Sequence, residues 1–316
     1  MNIALQTFFA ASLGWLAVVI AASVVGMFMY APFRKLGMLA SPHRRSAALL
    51  VYATLPVMVA SIVSIALYFP QLAVLLLPEH CHADTCTPHA PEFAASAAYA
   101  GMITVTALTA LVLVFYVPVQ QLIRHIRKSQ IVKRLSRPAA EPGFHIVEND
   151  AAIAWCDGLL SPEIFISQGF LARVDKTELS IVLAHERAHA QRRDNLVRLV
   201  IDWGTRLWPE EIRRAIRSDF NAAAEQACDQ AAATDNVDTA TVAAVISKLS
   251  GIGSAEKNSS SSFTTDAEQR IVALSADTTA ANTARFAQGL MLLLLCLTEI
   301  FVFTQMTHPL LEWLSR

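Results

Sequence analysis

The chain has 316 residues, of which 54% are hydrophobic and only 16% charged, with a formal net charge of −1. A charge content so far below the roughly 25% of soluble domains excludes an ordinary soluble globule, and the near-neutral balance supplies no global field for nucleic acid or acidic partners. Of the five cysteines only Cys81 and Cys86 lie close together, which excludes a disulfide framework.

In chain order, the first apolar run covers about 7–30. It is long enough for the ~20 residues that cross a bilayer. No basic residue precedes it, and it exceeds the ~7–15 apolar residues of a secretory signal, so it reads as a membrane helix. The second run, about 46–77, contains Pro56 and Pro70 and exceeds one span. The third covers about 94–122 and the fourth 286–307. The connection between the first two holds Arg34, Lys35, Arg44 and Arg45. That between the second and third, 78–93, has no Lys or Arg but carries Glu79, Asp84 and Glu92. The segment after the third holds Arg124, Arg127, Lys128, Lys133, Arg134 and Arg137. The positive-inside rule then places the first connection and the long polar segment in the cytoplasm, with both termini and residues 78–93 outside.

The expected architecture is an α-helical membrane protein. Three membrane helices occupy 1–123, an α+β cytoplasmic domain fills 124–285, and a fourth membrane helix with a short outer tail completes 286–316. A segment of ~160 residues can bury close to 70% of its unfolded surface and hold its own core. Its front reads as strands at Phe144–Val147, Ala151–Trp155 and Glu163–Ser167, punctuated by Gly158, Pro162 and Gly169. Its rear reads as helices, with a flexible Gly/Ser-rich loop expected from Gly251 to Ser262.

Within the polar segment stands His185-Glu186-Arg187-Ala188-His189. Asp175 and Glu178 form a capping-box pattern ahead of it, and Leu179, Val182 and Leu183 supply an apolar face. On a helix, histidines four apart stack on one face and both can reach one Zn²⁺ ion at about 2.0–2.1 Å. Glu186, one position along, suits a general base acting on water beside that metal. A third ligand is needed, and Glu225, in Asn221-Ala-Ala-Ala-Glu225-Gln-Ala-Cys228-Asp229, is the candidate. Asp229, four residues on, suits a second carboxylate that accepts a hydrogen bond from a ligand histidine. The plain alternative for both stretches is a solvent-facing charged helix. Cys228 reads better as a small buried hydrophobe than as a ligand.

Together, His185-Glu-Arg-Ala-His-Ala-Gln-Arg-Arg-Asp194-Asn195 and Glu225-Gln-Ala-Cys-Asp229 resemble the BlaR/MecR-type integral-membrane zinc metallopeptidases, as does the three-plus-one helix layout. The resemblance implies a gluzincin domain, one catalytic Zn²⁺ on His185, His189 and Glu225, and Glu186 as base. It also implies a bacterial-type inner membrane location and regulated cleavage of the chain itself or of a BlaI-type repressor, with no direct binding of nucleic acid. Gly158–Ile166 resembles the family's strand before the active-site helix, an edge able to pair with an extended substrate. Those receptors carry an extracellular penicillin-binding sensor after the fourth helix, whereas this sequence ends about ten residues beyond it. Arg270 stands where related zinc proteases often place an arginine that contacts substrate or the oxyanion, with a surface ion pair as the alternative.

Residues 78–93 hold His80, Cys81, His82, Cys86 and His89, a set fit either for Cu or Zn or for a Cys81–Cys86 disulfide. Glu299 lies inside the fourth run; it is a functional candidate by default, the plain alternative being that, toward the outer end, it reaches the interface. Two further readings stand beside the regulatory endopeptidase. One is an HtpX-like quality-control peptidase, whose chains resemble two helices, the zinc motif and two more. The other is a non-catalytic membrane metal sensor.

Overall fold

The computed structural model describes residues 3–37, 40–69, 97–140, 143–233, 237–257, 260–275 and 281–315. The elements begin with α1 (Ile3–Gly37), α2 (Pro42–Tyr68) and α3 (Ala97–Leu135), then β1 (Ser136–Pro138), β2 (His145–Val147), β3 (Ala154–Asp157) and β4 (Glu163–Ser167). Seven helices follow: α4 (Gln168–Leu171), α5 (Lys176–Arg192), α6 (Asp194–Gly204), α7 (Glu210–Ala232), α8 (Thr239–Lys257), α9 (Ser260–Ser275) and α10 (Ala281–Ser315). The His/Cys-rich set at 80–89 lies outside the described residues.

Four of these helices are long and apolar enough to cross a membrane, over Leu5–Gly37, Pro42–Tyr68, Gly101–Leu135 and Ala287–Thr307. The second ends at Tyr68 among the described residues. Phe69 is already extended (φ −114°), and it precedes Pro70, which disfavours helical geometry in its neighbour. The third runs on to Leu135, because Gln, Leu, Ile, Arg and Lys continue a helix at little cost. Its basic residues therefore leave the apolar span on a helical stem. Glu299 of α10 is packed inside the protein, 4% exposed, and neither carboxylate oxygen has a partner.

The small sheet has the order β1-β2-β4-β3, with β2 and β4 parallel and the outer pairs antiparallel. The strand within Gly158–Ile166, expected to be an edge, is β4 (Glu163–Ser167), and it is interior, with Ile164, Phe165, Ile166 and Ser167 all buried. The edges are β1 and β3, and β3 borders α5. The loop expected at Gly251–Ser262 is largely helical, since α8 continues to Lys257 and α9 starts at Ser260. A glycine costs a helix only about 1 kcal/mol against alanine, and packing of α8 on α9 outweighs that.

Two cores position the functional residues. One joins Ile164, Ile166 and Phe170 to Ile181, Val182 and Leu183 of α5 and to Val242, Val245 and Ile246 of α8. The other is shared between the polar segment and the membrane helices. It unites Tyr30, Phe33, Leu49, Tyr52 and Ala53 with Ile201, Trp208, Ile216, Phe220 and Ala224. Phe33 stacks on Tyr52 with ring centroids 4.2 Å apart, and Trp208 meets Tyr52 edge-on. At Gly204 a Cβ would lie 2.3 Å from the Ala53 carbonyl oxygen, so only glycine lets α6 end against the α2 backbone.

Candidate active site

Helix α5 starts with the expected capping box. The Glu178 N–H donates to Asp175 Oδ1 (2.8 Å), and the Asp175 N–H donates back to Glu178 Oε2 (2.9 Å). That fixes the register of the helix, and Ile181, Val182 and Leu183 seat it in the core. His185 and His189 follow on one face. Their rings stand edge-on at 4.8 Å, with Nε2 of one 3.1 Å from Nε2 of the other. The alanines around Glu225 let α7 approach closely, Ala223 and Ala224 being fully buried. Glu225 then reaches both rings, Oε2 lying 3.5 Å from His185 Nε2 and Oε1 3.4 Å from His189 Nε2.

The structure thus brings together the three residues expected as ligands, with contacts of 3.1–3.5 Å between their facing atoms. Donors about 2.0–2.1 Å from a tetrahedral ion stand about 3.3 Å apart, so the spacing fits Zn²⁺. The outer bonds fix the tautomers in the same sense. His185 Nδ1 faces Asp229 Oδ1 at 3.0 Å, and His189 Nδ1 faces Asp194 Oδ2 at 2.7 Å. With both Nδ1 atoms donating to carboxylates, two Nε2 lone pairs face each other at 3.1 Å, an arrangement that calls for a cation between them.

The electrostatics agree. Burial disfavours charge on His185, but hydrogen bonds to Asp229 and Glu225 outweigh it and raise the pKa. At His189 burial is likewise outweighed, by Asp194, Cys228 and Glu225. Glu225 is held well below the usual carboxylate range against its own burial, through both histidines. The pocket therefore prefers positive charge between these three side chains.

Glu186 is half-buried in the same cavity. Burial pushes its pKa up, while the two histidines and the Cys156 backbone N–H, which donates to it, pull the other way. The net rise brings a carboxylate nearer to a value suited to taking and returning a proton near neutral pH. The cavity measures about 1330 Å³ and is lined by Asp150–Ala154, His185, Glu186, Glu225, Asp229 and Arg270, with an apolar floor from Val242, Val245 and Ile246.

Of the remaining expected residues, Asp229 is fully buried and lies beside His185. Arg270 is largely committed to Asp229, with Nε donating to Oδ2 (2.7 Å) and Nη2 to Oδ1 (2.6 Å). Its Nη1 stands 3.5 Å from Glu225 Oε2. Cys228 is completely buried, with its Sγ donating to Asp194 Oδ2 (3.8 Å) beside His189.

Three residues carry roles that the sequence did not assign, two of them, Asp194 and Asn195, inside the motif quoted above. Asp194 is the partner of His189 because Arg193 adopts the left-handed conformation (φ 53°), which breaks α5 from α6 and turns Asp194 back under the imidazole. Asn195 Nδ2 donates to the Cys156 carbonyl (3.0 Å), tying β3 to the start of α6. Arg192 joins Asp194 (Nε, 3.3 Å) to the start of α2, its Nη1 to His43 Nδ1 and its Nη2 to Ser46 Oγ, both 2.8 Å. The Arg-Arg-Asp-Asn run after His189 was the available signal, but a left-handed non-glycine residue is rarely foreseen.

A model of peptidase family M48 matches residues 118–313, beginning inside α3 and ending inside α10. No curated protein and no solved structure gives a significant match. The chain belongs to peptidase family M48, and is a metallopeptidase of that family with four membrane-length helices.

Proposed function

We propose that the chain is a zinc-dependent membrane endopeptidase whose metal is held by His185, His189 and Glu225, with Glu186 as general base. The observation that carries this reading is the pair of Nε2 atoms 3.1 Å apart, each imidazole backed through Nδ1 by a carboxylate, with Glu225 closing the triangle. A Zn²⁺ ion bound there would polarise the scissile carbonyl and lower the pKa of water toward about 7. Glu186 takes the proton of the attacking water and returns it to the leaving amine. Asp229 and Asp194 hold the two imidazoles in the tautomer that leaves Nε2 free, and Arg270 chiefly holds Asp229.

The substrate would lie along β3. The Cys156 N–H and C=O turn away from β4, toward Glu186 and Asn195. By strand alternation, those of Ala154 face the same side, where Ala154 lines the cavity and is free of the Glu186 and Asn195 contacts that occupy Cys156. An extended peptide pairing there would cross the metal triangle, a form of β-augmentation.

The finer assignment is signal-regulated cleavage of the chain itself or of a cytoplasmic BlaI-type repressor, with the catalytic segment in the cytoplasm of a bacterial-type inner membrane and both termini outside. Its support is the motif resemblance, the three-plus-one helix order and the basic residues at the α1–α2 turn and on the α3 stem. An HtpX-like quality-control role is the alternative within the same chemistry. A survey of new protein termini in cells expressing wild type or Glu186→Gln separates them. Loss of the base should lower proteolysis about 10²–10⁴-fold with bound zinc retained. A few cuts in the chain itself or a repressor support regulation, whereas many fragments of membrane proteins support quality control. Unchanged termini in a zinc-loaded Glu186→Gln variant would refute the catalytic reading.

A further inference from the structure

One end of the helical bundle gathers the end of α1 at Gly37, the start of α2 at Pro42 and Gln288 of α10. Gly37 is the point of contact. A Cβ there would lie 2.9 Å from Gln288 Nε2 and 3.9 Å from Arg45 Cγ, so both side chains close over this glycine. Gln288 is 4% exposed, and its Nε2 is buried with no hydrogen-bond partner. Arg45 Nε is likewise buried without a partner, although its Nη2 donates to Gln226 Oε1 (2.8 Å). Buried donors left unpaired are rare and costly, and each asks for an explanation.

The charge contributed by the neighbouring chain is mostly positive. Lys35 and Arg44, close in sequence to Gly37 and Arg45, are exposed. The sequence has no Asp or Glu before Glu79. Asp219, which reaches this end from α7, is taken by Arg34 (2.6 Å) and the Tyr30 hydroxyl (2.7 Å). The first turn of α2 adds the positive end of a helix dipole. The missing partner must accept hydrogen bonds, carry negative charge and lie where membrane helices end. A phosphodiester at headgroup depth meets all three conditions, and basic pockets between membrane helices are used in this way.

We propose that Arg45 and Gln288 form a site for the phosphate of an anionic phospholipid, set between α1, α2 and α10. The site is independent of the catalytic assignment, but it touches the same machinery. Arg45 also holds Gln226, the residue after Glu225, so an occupied site steadies α7 where the metal triangle closes.

The test uses the full chain, purified and then reconstituted in nanodiscs of phosphatidylcholine alone or with phosphatidylglycerol. Native mass spectrometry counts retained lipids, and thermal unfolding reads the coupling. Wild type should retain phosphatidylglycerol saturably and melt at a higher temperature with it. Gln288→Leu and Arg45→Gln should each weaken retention about tenfold, the loss of one hydrogen bond to a charged group. Gln288→Leu discards only an unpaired buried amide, so it should fold normally in phosphatidylcholine, which keeps the test decisive. The double variant Lys35→Gln/Arg44→Gln should reduce retention by less, reporting surface charge alone. Equal retention and equal stabilisation of wild type and Gln288→Leu would overturn the site. Inorganic phosphate at millimolar concentration that displaces the lipid, or stabilises the protein as well as the lipid does, would overturn the lipid assignment in favour of a free anion.

Discussion

Replacing Asp229 by asparagine keeps its shape and removes its charge, and the geometry predicts two separable losses. In the wild type Oδ1 serves both His185 Nδ1 (3.0 Å) and Arg270 Nη2 (2.6 Å), while Oδ2 accepts from Arg270 Nε (2.7 Å). Asparagine offers one acceptor oxygen and turns an NH₂ toward either a guanidinium or an imidazole N–H, donor against donor. The first loss is in metal affinity. Removing the carboxylate behind a ligand histidine costs about 10–100-fold, or about 1.4–2.8 kcal/mol. The second is in stability. Breaking a buried ion pair costs about 3–5 kcal/mol, and since the Arg270 side chain keeps 26% of its exposure, the lower end of that range applies. Competition with a zinc chelator measures the first, and thermal unfolding of the chelator-stripped protein measures the second. The double variant Asp229→Asn/Arg270→Met should recover most of the stability and none of the zinc affinity. Zinc affinity in Asp229→Asn within twofold of wild type would refute the claim that this carboxylate sets the His185 tautomer.

Acid should act through the same carboxylates. Burial raises the pKa of Asp194 and of Asp229, but His189 with Arg192, and Arg270 with His185, pull the folded values below the ordinary range. Their stabilisation is therefore complete above the unfolded value of about 3.9 and is lost as pH falls through the folded values. Melting temperature against pH should drop steeply below about pH 4, with a shallower slope in Asp229→Asn; identical slopes would contradict the assignment. Gly204→Val should destabilise the chain by more than about 2 kcal/mol, because the new Cβ meets the Ala53 carbonyl at 2.3 Å and backbone cannot rotate away; a normal unfolding transition would show that α6 does not rest on α2. Cys156 should resist maleimide at pH 8 while folded. Burial and then Glu186 push its thiol up to about 12, and rapid labelling before denaturation would count against that environment.

What the sequence disclosed and what it hid divide along physical lines. His185 and His189 were legible because helical period alone stacks residues four apart, and the capping box at Asp175 and Glu178 is a purely local device. The four apolar runs were legible because span length follows from bilayer thickness. Asp194 was hidden because its role depends on one left-handed residue, Arg193, rather than on any period. β1 was missed because three residues ending in proline, two of them exposed, carry no alternation. The edge position of β3 depends on strand order, which no single strand encodes. The burial of Glu299 follows from what packs on α10, which the bare run does not define. The Arg270–Asp229 pair joins positions 41 apart in sequence, a tertiary fact with no local trace.

The shared core changes how the catalytic helices should be pictured relative to the membrane. A domain tethered by flexible linkers would feel little of what its anchors do. Here Ile201, Trp208, Ile216 and Phe220 are buried among Tyr30, Phe33, Tyr52 and Ala53, so α6 and α7 rest on α1 and α2 without an intervening linker. Arg192 extends the connection to the metal side. Its guanidinium spans from His43 and Ser46 on the first turns of α2 to Asp194, and Asp194 in turn holds His189. Arg45 makes a matching link on the other side, from α2 to Gln226 beside Glu225. Each link is a hydrogen bond of ordinary length, so a displacement of α2 by an ångström or so breaks it rather than stretching it. Both links meet residues beside the proposed metal ligands, one behind a histidine and one next to the glutamate. A rotation or shift of α2 is therefore felt first as a change in ligand orientation, to which metal chemistry responds steeply. The same arrangement that stabilises the site thus makes its geometry a function of how the membrane helices are packed.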